Sequence, residues 1–282
     1  MSYFLYSFAW RVIRFLPESM AYQFGDRIAR YAIKRDGRRV RRLRSNLEVV
    51  SPDSTTREID LLLERAMRSN LRYWIDTFRF PSWSASRIRE RVDVVNRDVF
   101  DEAMASGSGL IVALPHAGNW DHAGAFFCAE GFPLVTVAEH LKPERLFRKF
   151  LTYREAMGME VLDLDARVMK TLEARLRAGR LVALVADRDL SASGIEVRFF
   201  NRIAKFPAGP AKLAIETGAT LITAFISYTE KGIRVHFSAP LETSGKNVAE
   251  VVQMIASNFE NEIGRYPEDW HMLQRVFIEE SE

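Results

Sequence analysis

Apolar residues recur at two spacings along this chain, one typical of helices and one typical of buried strands. Between residues 57 and 80 they recur every three or four positions, which predicts an amphipathic helix that ends before Pro81. Shorter runs rich in Val, Ile and Leu predict strands at 109–114, 134–138, 181–186, 221–227 and 233–237. Further helical patterns lie at 166–178, 211–216 and 248–264. This alternation favours an α/β fold, in which helices flank a central, mixed but mostly parallel β-sheet.

The length and composition suit one α/β domain. With 282 residues, of which 48% are apolar, the chain can bury a full core. We expect residues 1–282 to form a single domain, in which a helical, membrane-associating part (residues 1–100) packs on an α/β core (residues 101–282). The single cysteine, Cys128, excludes an internal disulfide and fits a reducing compartment, and its apolar neighbours predict a packed thiol.

Positive charge is concentrated near the N-terminus. Residues 1–50 hold eleven Arg and Lys against four Asp and Glu, although the formal net charge of the whole chain is only +3. The densest segment, residues 34–44, contains seven cations and one acid. Each cation near an anionic lipid surface is worth about 1 kcal/mol, so this segment is a candidate membrane contact. A nucleic-acid contact and a plain solvated helix face are the alternatives, although no aromatic residue interleaves the cations.

The first sixteen residues are rich in aromatic side chains and end just before Pro17. Arg11 and Arg14 interrupt the apolar run, which is shorter than the roughly 20 residues that span a bilayer. The run also lacks the charge order and the cleavage site of a secretory signal. Insertion into the membrane interface and packing on the protein's own core both fit this pattern. We expect a peripheral or monotopic protein.

The most informative motif is His-Ala-Gly-Asn-Trp-Asp at residues 116–121. It follows a buried-looking run and Pro115, so we expect His116 to project from the end of a central strand, with Asn119 capping the next helix. A carboxylate on one imidazole nitrogen fixes the tautomer and leaves the other nitrogen to take a proton from an alcohol. Asp121 is the candidate for that carboxylate. A core histidine beside an acid in a first helical turn would show the same spacing without catalysis.

Motifs of several other enzyme classes are missing. Ser106-Gly107-Ser108-Gly109 has the wrong spacing for a nucleophile elbow and precedes the strand. Neither a Walker-type phosphate loop nor a dinucleotide fingerprint occurs. His116 and His122 lack the register of a zinc helix and have no third histidine or cysteine pair nearby, so no metal is expected. The attacking hydroxyl is therefore expected to belong to a substrate.

Taken in order along the chain, these motifs resemble the late bacterial lipid acyltransferases with a His-x4-Asp motif, the lauroyl/myristoyl acyltransferase group. The further matching stretches are Gly-Met-Glu-Val-Leu at 158–162, Asp-Arg-Asp at 187–189, Gly-Ile-Glu-Val at 194–197 and Phe-Pro-Ala-Gly-Pro at 206–210. The chain looks most like the actinobacterial phosphatidylinositol mannoside acyltransferases, because of residues 34–37, 187–190 and 267–274. Lipid A acyltransferases usually carry a Tyr/Trp and His-Arg-Arg-Phe pattern at that last place, and this chain does not.

The resemblance implies a fold like that of glycerolipid acyltransferases and a set of site residues. His116 is implied as the general base and Asp121 as the residue that orients it. The implied substrate-binding residues are Glu139, Arg154, Asp187, Arg188, Asp189 and Glu196. Arg154 would bind a phosphate or steady an oxyanion, and one of the acids at 187, 189 and 196 would bind sugar hydroxyls or reinforce His116. An ion pair without catalytic function is the alternative for each of them.

The implied reaction is direct acyl transfer at the cytoplasmic face of the inner (plasma) membrane. His116 would remove a proton from a sugar hydroxyl, and the expected sugar is a mannose of phosphatidylinositol mannoside. The alkoxide would then attack the thioester carbonyl of a long-chain acyl-CoA such as palmitoyl-CoA. We expect acyl-CoA as co-substrate and no cofactor. The expected partners are a glycolipid acceptor and an anionic membrane surface, with no nucleic acid. A lipid A-type acyltransferase using acyl carrier protein, and a non-enzymatic binder acting through residues 34–44, remain alternatives.

Overall fold

A computed structural model describes residues 10–138 and 144–278, except for the side chain of Leu146. Residues 10–15 are helical. The helices that follow are α1 (Glu18–Arg35), α2 (Arg38–Val50), α3 (Thr56–Arg79), α4 (Ala85–Arg89), α5 (Arg97–Ala105), α6 (Trp120–Ala129), α7 (Glu144–Ala156), α8 (Val168–Arg177), α9 (Gly209–Thr217) and α10 (Val248–Arg265). The strands are β1 (Val92–Val95), β2 (Leu110–Leu114), β3 (Leu134–Ala138), β4 (Glu160–Asp163), β5 (Leu181–Val185), β6 (Ile195–Phe199), β7 (Arg202–Phe206), β8 (Thr220–Tyr228), β9 (Ile233–Phe237) and β10 (Phe277–Ile278). Short 3-10 helices occupy Phe80–Ser82 and Pro267–Asp269.

Within the described ranges, seven strands form the central sheet in the order β1-β9-β8-β2-β5-β3-β4. Five neighbouring strands, from β8 to β4 in that order, are parallel. β9 is antiparallel to β8, and β1 pairs in parallel with β9, so these two strands run against the other five. A second sheet of three antiparallel strands has the order β10-β7-β6. The mixed, mostly parallel α/β fold predicted from the sequence is confirmed.

β2 runs through the middle of the central sheet, and all five of its residues are buried. Successive side chains of a strand point to opposite faces of a sheet. Ile111 and Ala113 join the core beneath α8, α9 and α10, whereas Leu110, Val112 and Leu114 join the core beneath α3, α5 and α6. Because helices cover both faces, β2 is a continuous apolar run instead of an alternating one.

The helices α1, α2 and α3 pack around a smaller core that includes Leu43, Leu47 and Leu63. α3 begins at a capping box, in which the Thr55 hydroxyl accepts the Glu58 N–H and the Glu58 carboxylate accepts the Thr55 N–H. One part of the prediction needs correction, because residues 1–100 are not wholly helical. β1 comes from this part of the chain and pairs with β9 at the edge of the central sheet.

Residues 10–16 contribute to both the core and the surface. Trp10 is buried and packs on Phe78, Phe150 and Tyr153, whereas Phe15 is 77% exposed. Residues 1–9, which carry the other aromatic side chains of this segment, lie outside the described part of the chain. Among the helices of the described ranges, none combines the length and the apolar character needed to cross a bilayer.

Candidate active site

His116 and Asp187 meet at the C-terminal edge of the central sheet. β2 and β5 are neighbouring parallel strands, so the residues that follow them emerge side by side. His116 Nδ1 lies 2.6 Å from Asp187 Oδ1, and the backbone N–H of His116 donates to Asp187 Oδ2 at 2.9 Å. The side chain of Asp187 is fully buried, whereas that of His116 is 41% exposed. A buried carboxylate thus holds an accessible imidazole by its ring and by its backbone.

The surroundings of Asp187 keep its carboxyl group ionised. Burial by itself would raise the pKa of Asp187, but the charge of His116 and hydrogen bonds from His116 and Trp270 outweigh burial and lower the pKa below its usual value. An ionised carboxylate only accepts hydrogen bonds, so Nδ1 of His116 carries a hydrogen toward it. In the neutral ring the basic lone pair is then on Nε2, which is the arrangement of a general base.

The segment after α10 clamps both members of this pair, and we call residues 269–271 the C-terminal strap. The His271 N–H donates to the His116 carbonyl at 2.7 Å, and the Gly118 N–H donates to the Asp269 carbonyl at 2.8 Å. Between these two bonds, Ala117 forms an antiparallel bridge with Trp270. The indole Nε1–H of Trp270 donates to Asp187 Oδ2 at 2.9 Å. The strap therefore contacts the backbone around His116 and the carboxylate of Asp187.

The turn from β2 into α6 requires a glycine and a capping residue. Gly118 has φ +55, and a Cβ atom there would lie 2.4 Å from the carbonyl oxygen of Ile226. The Asn119 side chain accepts the His122 N–H at 2.9 Å, which confirms the predicted helix cap. His122 is buried with its Nε2 3.0 Å from the Ile88 carbonyl oxygen, and burial lowers its pKa to about 4.

Asp121 does not occupy the position that the sequence predicted for it. Its carboxylate accepts hydrogen bonds from Arg154 Nε at 2.8 Å and from the Tyr73 hydroxyl at 2.9 Å. The physical reason is that Asp121 lies in the first turn of α6 on the side that faces α3 and α7, whereas strand pairing brings Asp187 to the imidazole. Nδ1 of His116 is therefore paired with Asp187, and a catalytic role of Asp121 remains a prediction.

Arg154 forms an ion pair with Asp121, in which the acid is buried and the arginine is partly buried. Its side chain is 18% exposed and that of Asp121 is 2% exposed. Burial would lower the pKa of Arg154, but the charge of Asp121 raises it above its usual value, so the guanidinium stays ionised. This pair joins α7 to the start of α6, one residue after Trp120, whose ring packs edge-on against His116 at 5.6 Å.

The remaining predicted site residues lie in other surroundings. Arg188 donates to the Arg275 carbonyl at 3.1 Å, and Asp189 accepts the Ser191 N–H at 2.9 Å within the loop after β5. Glu196 lies on β6 with its side chain 66% exposed and 3.6 Å from Lys205. Glu139 lies outside the described residues. Of the acids at 187, 189 and 196, Asp187 is the one that contacts His116.

The sequence patterns did not indicate three residues: Ser69, whose hydroxyl contacts Asp269 and His271 of the C-terminal strap, Tyr73 and Trp270. The first two look like ordinary members of an amphipathic helix, and only their partners in space distinguish them. Trp270 lies in the ending 267–274 that carried the family resemblance, so a signal existed, but its contact with Asp187 required the fold.

Comparisons with known proteins identify the family of this chain. The family model "Bacterial lipid A biosynthesis acyltransferase" matches residues 1–278. A relative from Mycolicibacterium smegmatis, named phosphatidylinositol mannoside acyltransferase, is 40% identical over 276 residues, which cover 97% of this chain and 90% of that protein. A relative of the same name from Mycobacterium tuberculosis is 38% identical over 278 residues, which cover 97% of this chain and 87% of that protein.

These matches span almost the whole sequence and include the two strand ends that carry His116 and Asp187. The family resemblance read from the motifs is confirmed. The chain belongs to the bacterial lipid A biosynthesis acyltransferase family, and the protein is an acyltransferase.

Proposed function

We propose that this enzyme transfers a long-chain fatty acyl group from acyl-CoA to a mannose hydroxyl of a phosphatidylinositol mannoside. Palmitoyl is the acyl group that we propose as the preferred one. The observation that carries the proposal is the contact of 2.6 Å between His116 Nδ1 and the buried carboxylate of Asp187. It fixes the orientation of a half-exposed imidazole, with Nδ1 toward the carboxylate and Nε2 on the opposite side of the ring. The relatives named for this glycolipid support the choice of acceptor.

In the proposed reaction His116 Nε2 takes the hydroxyl proton while the hydroxyl oxygen attacks the thioester carbonyl carbon. The ionised Asp187 stabilises the imidazolium that forms. The tetrahedral anion then collapses, the C–S bond breaks, and the imidazolium gives its proton to the leaving thiolate. The products are the sugar ester and free CoA thiol. The proton taken from the alcohol ends on the thiol, so His116 returns to its neutral form.

We also propose that α1 docks on an anionic lipid surface, at the cytoplasmic face of the plasma membrane. Met20, Phe24, Ile28 and Tyr31 recur at helical spacing on α1 and are 53%, 47%, 38% and 60% exposed. Exposed cations accompany this stripe, among them Arg27, Arg30, Lys34 and Arg35. A helix with an outward apolar stripe beside cations suits the interface of an anionic bilayer.

Acyl transfer is tested with purified full-length protein and radiolabelled palmitoyl-CoA. The acceptors are a mannosylated inositol lipid, unmannosylated phosphatidylinositol and a lipid A precursor, and palmitoyl carrier protein replaces the CoA donor in a parallel series. We expect label in the mannosylated lipid, and we expect His116→Ala to lose transfer by about 1,000-fold or more. His236→Ala is the matched control, because His236 lies on β9 and its ring pairs with Glu262 of α10, away from the site. Preferred transfer to the lipid A precursor, or full activity of His116→Ala, would contradict the proposal.

Membrane docking is tested by flotation with vesicles of neutral or anionic lipid, for the full chain and for a chain lacking residues 1–16. We expect Phe24→Ser with Ile28→Ser to weaken binding to anionic vesicles several-fold, because the apolar stripe loses its lipid contact. Leu164→Ser is the control, since Leu164 is 64% exposed in a loop after β4. Equal flotation of both variants would count against α1 as the docking element.

A further inference from the structure

We infer that Ser69 of α3 is a positioning residue for the His116–Asp187 pair and acts on it through the C-terminal strap. Ser69 is buried, with 9% of its surface exposed. Its role in catalysis rests on the proposed function, whereas its effect on the geometry of the pair is measurable without substrate.

The Ser69 hydroxyl contacts both residues that flank Trp270. Its Oγ lies 2.6 Å from Asp269 Oδ1 and 2.8 Å from His271 Nε2. Asp269 Oδ2 accepts the Tyr228 N–H at 2.8 Å, so the strap is anchored to β8 as well as to α3. One serine hydroxyl therefore joins a helix of the N-terminal part to both ends of a strap of three residues.

The direction of these hydrogen bonds follows from the chemistry of the two partners. An ionised Asp269 can only accept, so it takes the single hydroxyl hydrogen of Ser69, and His271 Nε2–H donates to the Ser69 oxygen. Burial, with a smaller contribution from the charge of His116, lowers the pKa of His271 to about 3, so the ring is neutral and carries one N–H. Alanine at position 69 would leave a buried carboxylate oxygen and a buried imidazole N–H without this partner.

The anchored residues are the ones that hold the catalytic pair. Asp269 and His271 bind the backbone on either side of Ala117, and Trp270 between them binds the Asp187 carboxylate. Movement of the strap therefore moves the imidazole and its carboxylate together. A displacement of about 1 Å in a catalytic geometry can cost about 100-fold in rate, which is larger than the effect expected of one lost hydrogen bond on substrate binding.

The experiment compares Ser69→Ala, Ser69→Cys, Ser69→Thr and the control Ser238→Ala in the full-length enzyme. Ser238 has a hydroxyl that accepts the backbone N–H of Thr223, and it directly follows β9, at the opposite end of that strand from the loop that contacts α3. Two quantities are measured: kcat and KM for acyl transfer, and the proton resonance of the His116 Nδ1–H in imidazole-labelled protein. That resonance is assigned by its absence in His116→Ala.

We expect Ser69→Ala to lower kcat by about 10- to 100-fold with KM changed less than about threefold, and to shift or broaden the Nδ1 proton signal. Ser69→Thr, which keeps the hydroxyl, restores both quantities toward wild type, and Ser238→Ala changes neither. Ser69→Cys keeps the size of the side chain but bonds weakly, so it reproduces the loss even if the alanine variant is too unstable to purify. A wild-type kcat and a wild-type Nδ1 signal in purified Ser69→Ala or Ser69→Cys would overturn the inference. If wild-type protein acylates none of the acceptors, the proposed function fails, and the Nδ1 signal alone decides whether Ser69 positions the pair.

Discussion

His116 illustrates what local sequence can and cannot predict at the scale of single residues. Its position after a buried run predicted a side chain at the end of a strand, and the structure has it there. The carboxylate on Nδ1 comes from Asp187, 71 positions further along the chain, instead of from the nearby Asp121. Spacing along a chain reports neighbours in a helix, but only strand pairing reports neighbours across a sheet. The apolar run before Asp187 did identify it as a residue at a strand end.

The role of Asp187 predicts a large and specific effect of Asp187→Asn. The amide cannot stabilise an imidazolium, and its NH2 group favours the wrong tautomer of His116. We expect kcat to fall by about 1,000-fold with KM changed little, measured by acyl transfer at saturating acceptor. Asp101→Asn is the control, because Asp101 pairs with Arg97 on the exposed face of α5. Activity of Asp187→Asn within tenfold of wild type would show that the pairing is structural only.

At the scale of elements, long periodic segments were predicted best. The helix expected at 57–80 is α3, Thr56–Arg79, and the strand expected at 134–138 is β3, with the same bounds. The strands β1, β4, β6, β7 and β10 were not predicted as strands. They lack the uninterrupted run of mostly apolar residues that identified β2, β3 and β5, because four of them contain charged residues and β10 has only two residues. The second sheet was missed for this reason. The order of strands and the reversal of β1 and β9 depend on long-range pairing, which no local pattern encodes.

The turn between β2 and α6 allows a test at this scale, with Gly118→Ala. Position 118 has a positive φ, and a Cβ atom would also meet a backbone carbonyl that cannot move freely. We expect a loss of unfolding free energy of about 2 kcal/mol or more, measured by denaturant unfolding. Gly107→Ala is the matched control, because Gly107 has φ +70 but no atom within 4 Å of the added Cβ. Equal losses in the two variants would mean that backbone conformation alone, and not close packing, requires Gly118.

On the scale of the whole molecule, buried polar contacts hold the N-terminal helices on the sheet. The Tyr22 hydroxyl of α1 donates to Asp76 of α3 at 2.6 Å, and Arg72 of α3 donates to the carbonyls of Thr229 and Gly232 after β8. Further along α3, Tyr73 supports Asp121 and Ser69 supports the strap. The helix that joins the N-terminal part to the sheet therefore also supports the candidate active site.

The pKa of Asp76 predicts how the stability of the folded chain depends on pH. Burial raises the pKa of Asp76 to about 6, although Tyr22 and Arg72 act in the opposite direction. Below pH 4 the carboxyl is protonated in both the folded and the unfolded chain. Between pH 4 and pH 6 the unfolded chain ionises first, so wild-type stability falls as pH rises. We therefore expect Asp76→Asn to gain stability relative to wild type by on the order of 2 kcal/mol between pH 4 and pH 7. Urea unfolding across this range measures the difference, and a difference independent of pH would contradict the assignment.

The C-terminal strap has a consequence for how the protein is made. His116 and the strap that fixes its backbone are separated by about 150 residues of chain, which emerge from the ribosome one after another. A nascent chain that has already paired β2 with β5 still lacks Trp270 and His271. Its imidazole and carboxylate are present but unclamped. We therefore expect the pair to reach its fixed geometry only after residues 269–271 have been synthesised and packed against it.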